Sequence, residues 1–196
     1  MNGLIIEGVA GTGKSSTLKH LEQHPDFLKL YPKVKVLSEE ITLGELVIEL
    51  RNESLTNAQR CLRLKNLLPE IEATVSARVF VILERFHHSY FALMPDWNLV
   101  KEYDAFLNHL KFASVLLDIP DNLIAERCFN RPENGVQGTG DLMAWYGSKT
   151  KAMKAFATSQ NNRKRAMEIS LLPGITVDTS EKNWNEVVER IIKFMD

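Results

Sequence analysis

Gly8-Val9-Ala10-Gly11-Thr12-Gly13-Lys14-Ser15 is the stretch that decides the fold. It follows a short apolar run, Gly3 to Ile6, and opens into a helical pattern that begins near Lys14. Strand, glycine-rich turn and helix in that order are the setting in which G-x-x-x-x-G-K-[ST] acts as a phosphate cradle, and the match here is complete. Gly8, Gly11 and Gly13 let the backbone close around phosphate oxygens. The N–H groups so gathered run on into the positive end of the helix dipole. Lys14 then carries a point charge to the β- and γ-phosphates, while the Ser15 hydroxyl is placed to ligate the Mg2+ that bridges them. Val9, Ala10, Thr12 and Ser16 complete the set expected to contact a nucleoside triphosphate, so ATP and Mg2+ are the implied cofactors.

Outward from the cradle, Val34 to Leu37, Val79 to Leu83, Ala113 to Leu117 and Ile175 to Val177 repeat the short apolar pattern of Gly3 to Ile6. Strands that are apolar along their whole length, alternating with helical stretches, belong to a parallel sheet covered on both faces. The expected fold is therefore α/β, a three-layer sandwich with a five-stranded parallel sheet, in a single domain over 1–196. Thr42 precedes an amphipathic run to Leu50, and Ser54-Leu-Thr-Asn precedes a longer run that ends near Ala77; both runs read as helices. Trp184 to Phe194 reads as a closing helix, with Trp184, Val187, Val188, Ile191 and Ile192 in the core. Arg131-Pro-Glu-Asn-Gly-Val-Gln-Gly-Thr-Gly-Asp141 breaks the pattern, since it offers almost nothing to bury. It reads as a mobile lid over about 131–147.

The bulk composition sets limits on function. With 196 residues, 44% hydrophobic, 25% charged and a net charge of −1, the chain has no uniform field to draw it to nucleic acid or membrane. Anion binding must be local. Cys61 and Cys128 are far apart and lack metal-ligand spacing, which favours two reduced thiols over a disulfide or zinc site. The first apolar run stops at Glu7, too early for a signal-peptide core or a membrane span. A cytoplasmic enzyme is expected. Its partner would be a small-molecule phosphate acceptor, with no nucleic-acid polymer, no membrane and room for a homodimer.

The second chemical signal is Glu84-Arg85, which closes the strand Val79-Phe-Val-Ile-Leu83. In an open parallel sheet the carboxyl ends of the strands face the ligand crevice. Phosphoryl transfer is catalysed by positioning and charge stabilisation, which require a carboxylate near the metal and cations around the phosphoryl group. Glu84 fits the first role through a metal-bound water, and Arg85 fits the second, on either the acceptor or the transferring phosphate. His87 and His88 follow directly, but adjacent side chains on a helix diverge and no third ligand is apparent. No metal is assigned to them. Trp97 and the pair Trp145-Tyr146 read as aromatic packing.

Ile6-Glu7-Gly8 entering the cradle, and Leu83-Glu84-Arg85-Phe86 with Ser89 and Tyr90 beyond, resemble the thymidylate kinase and deoxynucleoside kinase group. In that group the first strand ends in Glu-Gly and the third in Asp-Arg-Tyr or Glu-Arg-Ser. Ser38-Glu39-Glu40 lies where deoxynucleoside kinases carry a Thr-Glu-Pro-like segment, whose glutamate is the base for the sugar hydroxyl. The resemblance makes Glu39 the candidate base, with Glu40 the alternate. Asp118-Ile-Pro120, with Arg127 and Arg131 four apart, is similar to the lid entry of these kinases, which implies that both arginines clamp the triphosphate. Between Asn57 and Arg78, Gln59 resembles a base-reading glutamine, and Arg63 an arginine that contacts the acceptor base. The resemblance thus implies an ATP-dependent kinase for a nucleoside or nucleoside monophosphate. Two other readings stay open: a P-loop kinase for another small alcohol, and a regulatory NTPase. Against the last, the chain has neither an Asn-Lys-x-Asp motif nor a Leu-Ser-Gly-Gly-Gln signature.

Overall fold

The computed structural model describes residues 1–44, 46–50, 52–129 and 146–196. Five strands, β1 (Gly3–Glu7), β2 (Val34–Leu37), β3 (Phe80–Glu84), β4 (Phe112–Asp118) and β5 (Gly174–Asp178), form one sheet in the order β2-β3-β1-β4-β5. Every pairing is parallel. The α/β fold with its five-stranded parallel sheet is as expected, and each strand lies within a residue of its sequence-read limits.

Both faces of the sheet are covered, and the twofold side-chain period of a strand decides which residue serves which face. Ile5, Val81 and Leu83 join a core with Leu64, Ile71, Tyr90 and Leu107. Leu4, Ile6, Phe80 and Ile82 point the other way, into a core with Leu18, Leu21, Val188 and Ile191. Burying each such side chain contributes about 1.5–3 kcal/mol, so continuous apolar strands are what a two-faced sheet demands.

The helices on these faces are α1 (Lys14–Leu21), α2 (Pro25–Leu30), α3 (Glu39–Thr42), α4 (Leu46–Glu49), α5 (Asn57–Arg60), α6 (Leu62–Ser76), α7 (His87–Leu93), α8 (Lys101–His109), α9 (Asp121–Phe129), α10 (Lys149–Ile169) and α11 (Trp184–Met195). The helix expected after Thr42 and up to Leu50 is the short α4, and a further short helix that was not expected, α3, ends on Thr42 itself. Gly44, at φ 53°, stands between them in the left-handed region that ends helices. The run expected after Ser54-Leu-Thr-Asn starts at Asn57, behind the N-cap Thr56, whose side chain accepts from the Gln59 N–H in a reciprocal capping box, and it is divided into α5 and α6. In α11, Val187, Val188, Ile191, Ile192 and Met195 are buried, as helical spacing requires.

Register brings the carboxyl ends together: Ile6 pairs with Glu84, Leu37 with Leu83, Glu7 with Leu116, and Asp118 with Asp178. All five strands therefore open onto one edge, where the cradle sits. No described helix is long and apolar enough to cross a membrane. Cys61 and Cys128 are buried and not joined in a disulfide; Cys128 Sγ donates to the Ala10 carbonyl at 3.1 Å, and burial with the nearby Glu102 charge pushes the Cys61 thiol up to about 11. Most of the expected lid, with Arg131 and Trp145, lies outside the described residues.

Candidate active site

The cradle hangs between β1 and α1. Gly8, Gly11 and Gly13 have φ of 153°, 87° and 88°, values an L side chain rarely adopts. Space reinforces the requirement at Gly13, where a Cβ would stand 2.1 Å from Trp184 of α11. The loop is also held from beneath. Thr12 Oγ1 donates to the Val9 carbonyl at 2.9 Å, and Thr179 Oγ1 donates to the Thr12 carbonyl at 2.9 Å. Lys14 folds back over its own loop, with Nζ 3.3 Å from the Gly8 carbonyl and 3.5 Å from that of Val9. Burial, followed by repulsion from Arg85, lowers its ammonium to about 7 against the attraction of Glu39 and Glu84. Ser15 lies exposed on the first turn of α1.

Opposite the cradle, the ends of β2 and β3 present three charged side chains. Arg85 leaves β3 at φ 59°, while its N–H continues the ladder to the Ile6 carbonyl at 2.9 Å. That left-handed residue turns the chain so that Arg85 Nη1 meets Glu39 Oε1 at 3.0 Å. The other Glu39 oxygen lies 3.8 Å from Lys14 Nζ. Glu84 Oε2 accepts from the Glu39 N–H at 3.4 Å, and its backbone carbonyl accepts from Thr42 Oγ1 at 2.6 Å. Lys14, Glu39, Glu84 and Arg85 thus converge on one edge of the sheet. Glu40 is exposed, so Glu39 is the carboxylate that faces the cradle.

A layer below lies a buried network. Glu7, fully buried at the end of β1, accepts from the N–H groups of Phe86 at 2.9 Å and Ser89 at 3.1 Å through Oε1. Its Oε2 accepts from Ser89 Oγ at 2.7 Å and from Arg163 Nε at 3.1 Å. Arg163, from α10, also donates to Ser89 Oγ at 2.9 Å and to the Ser159 carbonyl at 3.2 Å. Burial raises the Glu7 carboxyl, but Arg163, His88 and these hydrogen bonds outweigh it and hold the group below its ordinary range. The network fixes the β3–α7 corner that carries Arg85 and ties it to the long helix beyond the expected lid. Glu7 and Ser89 entered the sequence reading only as marks of resemblance, and Arg163 was missed. The one legible signal for Arg163 was a charge that Glu7, inside an apolar strand, required as a partner.

Two expected side chains are engaged otherwise. Gln59 Oε1 accepts from Thr56 N at 2.8 Å and Thr56 Oγ1 at 2.9 Å, so its amide oxygen caps α5. Arg127 packs on the cradle, since a Cβ on Gly11 would fall 2.9 Å from its own Cβ. Its guanidinium donates to the carbonyls of Thr179 and Ser180. A cation this buried needs acceptors, and the loop after β5 supplies them. Arg63 lies against Gly44, where a Cβ would come within 2.4 Å of its Cζ. There it sits near Tyr90, whose hydroxyl donates to the Thr42 carbonyl at 3.2 Å. Trp97 stacks edge-on with Phe91 at 5.5 Å between centroids.

No protein-family model matches the chain, and no curated protein matches it in sequence. Solved structures do. A sugar kinase from Janibacter, solved without ligand, shares 16% identity at a TM-score of 0.61 over 100% of this chain and 95% of its own. The YorR protein of Bacillus subtilis, in complex with phosphorylated GDP, shares 17% identity at a TM-score of 0.59, covering 98% and 95%. Thymidylate kinase of Candida albicans, described as having broad substrate specificity, shares 17% identity at a TM-score of 0.61, covering 99% and 90%. At such identities the likeness speaks for the fold, and the fold of this chain is that of the P-loop kinases, of the type seen in thymidylate kinase.

Proposed function

We propose that this chain is an ATP-dependent kinase that transfers the γ-phosphate to a hydroxyl group of a small acceptor, a nucleoside or deoxynucleoside. The observation that carries the reading is the position of Glu39: one carboxylate oxygen 3.0 Å from Arg85, the other 3.8 Å from Lys14, with Glu40 turned to solvent. A hydroxyl acceptor needs a base, and a carboxylate beside the phosphate-binding lysine is where that base must stand. The similar sugar kinase and thymidylate kinase support phosphoryl transfer to a small molecule, and the similar protein bound to phosphorylated GDP supports a site of nucleotide size.

In this reading the incoming phosphates draw Lys14 and Arg85 onto themselves and free Glu39 from its two cations. Glu39 then takes the proton of the acceptor hydroxyl as that oxygen bonds to the γ-phosphorus. The bond from phosphorus to the bridging oxygen breaks, and ADP leaves with the electron pair. Lys14 and Arg85 hold the charge spread over the phosphoryl oxygens. The exposed Ser15 hydroxyl and the Glu84 carboxylate are hard oxygen donors of the kind Mg2+ takes, and the bound ion would neutralise phosphate charge.

Steady-state kinetics with ATP, Mg2+ and a panel of nucleosides, nucleoside monophosphates and sugars tests the reading. Glu39→Gln should lower kcat by about two orders of magnitude or more, the range for loss of a general base, while Glu40→Gln stays near wild type. If neither change moves kcat while Arg85→Ala and Arg63→Ala both raise the acceptor KM sharply, the acceptor is a phosphate and not a hydroxyl.

A further inference from the structure

His87, His88 and Asp104 meet inside the protein, away from any role in the phosphate cradle. The two rings lie with centroids 4.2 Å apart at the start of α7, and Asp104 arrives from α8. The divergence expected of neighbours on a helix is overcome by side-chain length, and the third ligand that is not apparent beside them in sequence comes from the packing of a separate helix. All three are buried, with His87 and His88 at 0% exposure and Asp104 at 1%.

We propose that this cluster is a structural zinc site. His87 Nε2 lies 2.9 Å and His88 Nε2 3.8 Å from Asp104 Oδ1, and one ligand atom from each residue falls within 4.8 Å of the others. Zinc–nitrogen and zinc–oxygen bonds of about 2.0–2.1 Å at tetrahedral angles place neighbouring ligand atoms roughly 3.3 Å apart. The two observed separations bracket that value, so the ion requires only small ring shifts.

A second observation points the same way. His88 has no hydrogen-bond partner at either ring nitrogen among the described residues, and His87 has none at Nδ1. A buried polar group left unsatisfied is costly, and an ion at His88 Nε2 removes one such cost. The carboxylate is already oriented from outside. Leu171 N–H donates to Asp104 Oδ2 at 2.8 Å, and Ser170 Oγ donates to Oδ1, which leaves Oδ1 directed at the rings. Two imidazoles and one carboxylate form a set that suits zinc better than magnesium or calcium. All three side chains are buried, so the site is structural. The ion would be installed during folding, and it would clamp α7, α8 and the α10–β5 connection beneath the corner that carries Arg85.

The test uses full-length protein without a histidine tag, produced in zinc-supplemented medium and dialysed against excess Mg2+. Metal analysis should give one zinc per chain. X-ray absorption should show two imidazoles among its ligands, and cobalt substitution should give the visible absorption of a four-coordinate ion. His88→Phe, which preserves ring packing against Trp97, and Asp104→Asn should each lower zinc affinity by at least about a hundredfold, whereas His20→Gln should leave it unchanged. Wild-type protein that folds without stoichiometric zinc, or zinc content indifferent to His88→Phe and Asp104→Asn, would overturn the assignment. Should both variants fail to fold, the wild-type absorption spectra decide alone: a shell without two imidazoles rejects the site.

Discussion

Glu39 and Glu7 divide the chemistry between an exposed carboxylate and a buried one. Glu39 is partly open to solvent and its carboxylate is paired with two cations, Lys14 and Arg85, which is the setting the proposed base requires. Glu7 is closed off, and all its acceptor positions are used on Phe86, Ser89 and Arg163. Removing its charge strands a buried arginine. Glu7→Gln should destabilise the fold by about 3–5 kcal/mol, readable as a lower urea midpoint at neutral pH. The sign of the pH dependence follows from the lowered carboxyl. The stability that Glu7 contributes is fully present above its ordinary value of 4.5 and drains away as pH falls through its lower folded value. The acid limb of the stability curve should therefore be shallower in Glu7→Gln than in wild type, and limbs of equal slope would show that the ion pair contributes nothing there. Neighbouring glutamates show what residue type alone leaves undecided. Glu39 and Glu40 are chemically the same, and the one-turn helix α3 separates them. Gln59 was a different matter: Thr56-Asn-Ala-Gln59 is itself a capping-box pattern, and that local physics accounts for the side chain without a ligand.

At the scale of elements, the central strands β1, β3 and β4 were readable because a sheet covered on both faces needs nearly unbroken apolar runs, while the edge strands β2 and β5 are only partly buried and were legible by their short β-branched pattern. Helix α10 was not readable. The residues it buries include Ala152, Gln160, Arg163 and Ala166, small or polar side chains that carry no apolar period. Its inward face is satisfied by hydrogen bonds instead, such as Gln160 Nε2 to the Ile119 carbonyl at 2.8 Å. Helix α11 did show its period, though not its second task as the support behind Gly13. That contact gives a prediction. Gly13→Ala should lose measurable binding of a non-hydrolysable ATP analogue in calorimetry, through both the left-handed φ of 88° and the collision with Trp184. Adding Trp184→Ala relieves only the collision. The left-handed strain, about 1–2 kcal/mol for a non-glycine residue, should remain, so the double variant should bind more weakly than wild type by at least severalfold. Wild-type affinity in Gly13→Ala would remove the geometric requirement.

For the molecule as a whole, one sheet edge gathers what five separated segments supply: the cradle after β1, Glu39 after β2, Glu84-Arg85 after β3, the Asp118 end of β4 and the Thr179 loop after β5. Register makes this convergence, since the parallel strands end level with one another. With a net charge of −1, the anion-binding power belongs to this edge and not to a general field. Lys14 serves the edge alone. Lys14→Ala should abolish phosphoryl transfer while leaving circular dichroism unchanged and thermal stability within about 1 kcal/mol, because the side chain lies outside both apolar cores. The fate of the γ-phosphate separates a kinase from a hydrolase most directly. Protein incubated with Mg2+ and ATP labelled at the γ-phosphate, with each acceptor in turn, should move the label onto a nucleoside hydroxyl, recovered as a nucleoside monophosphate, and Lys14→Ala should move none. Label recovered only as inorganic phosphate, at a rate indifferent to every acceptor, would contradict the kinase reading.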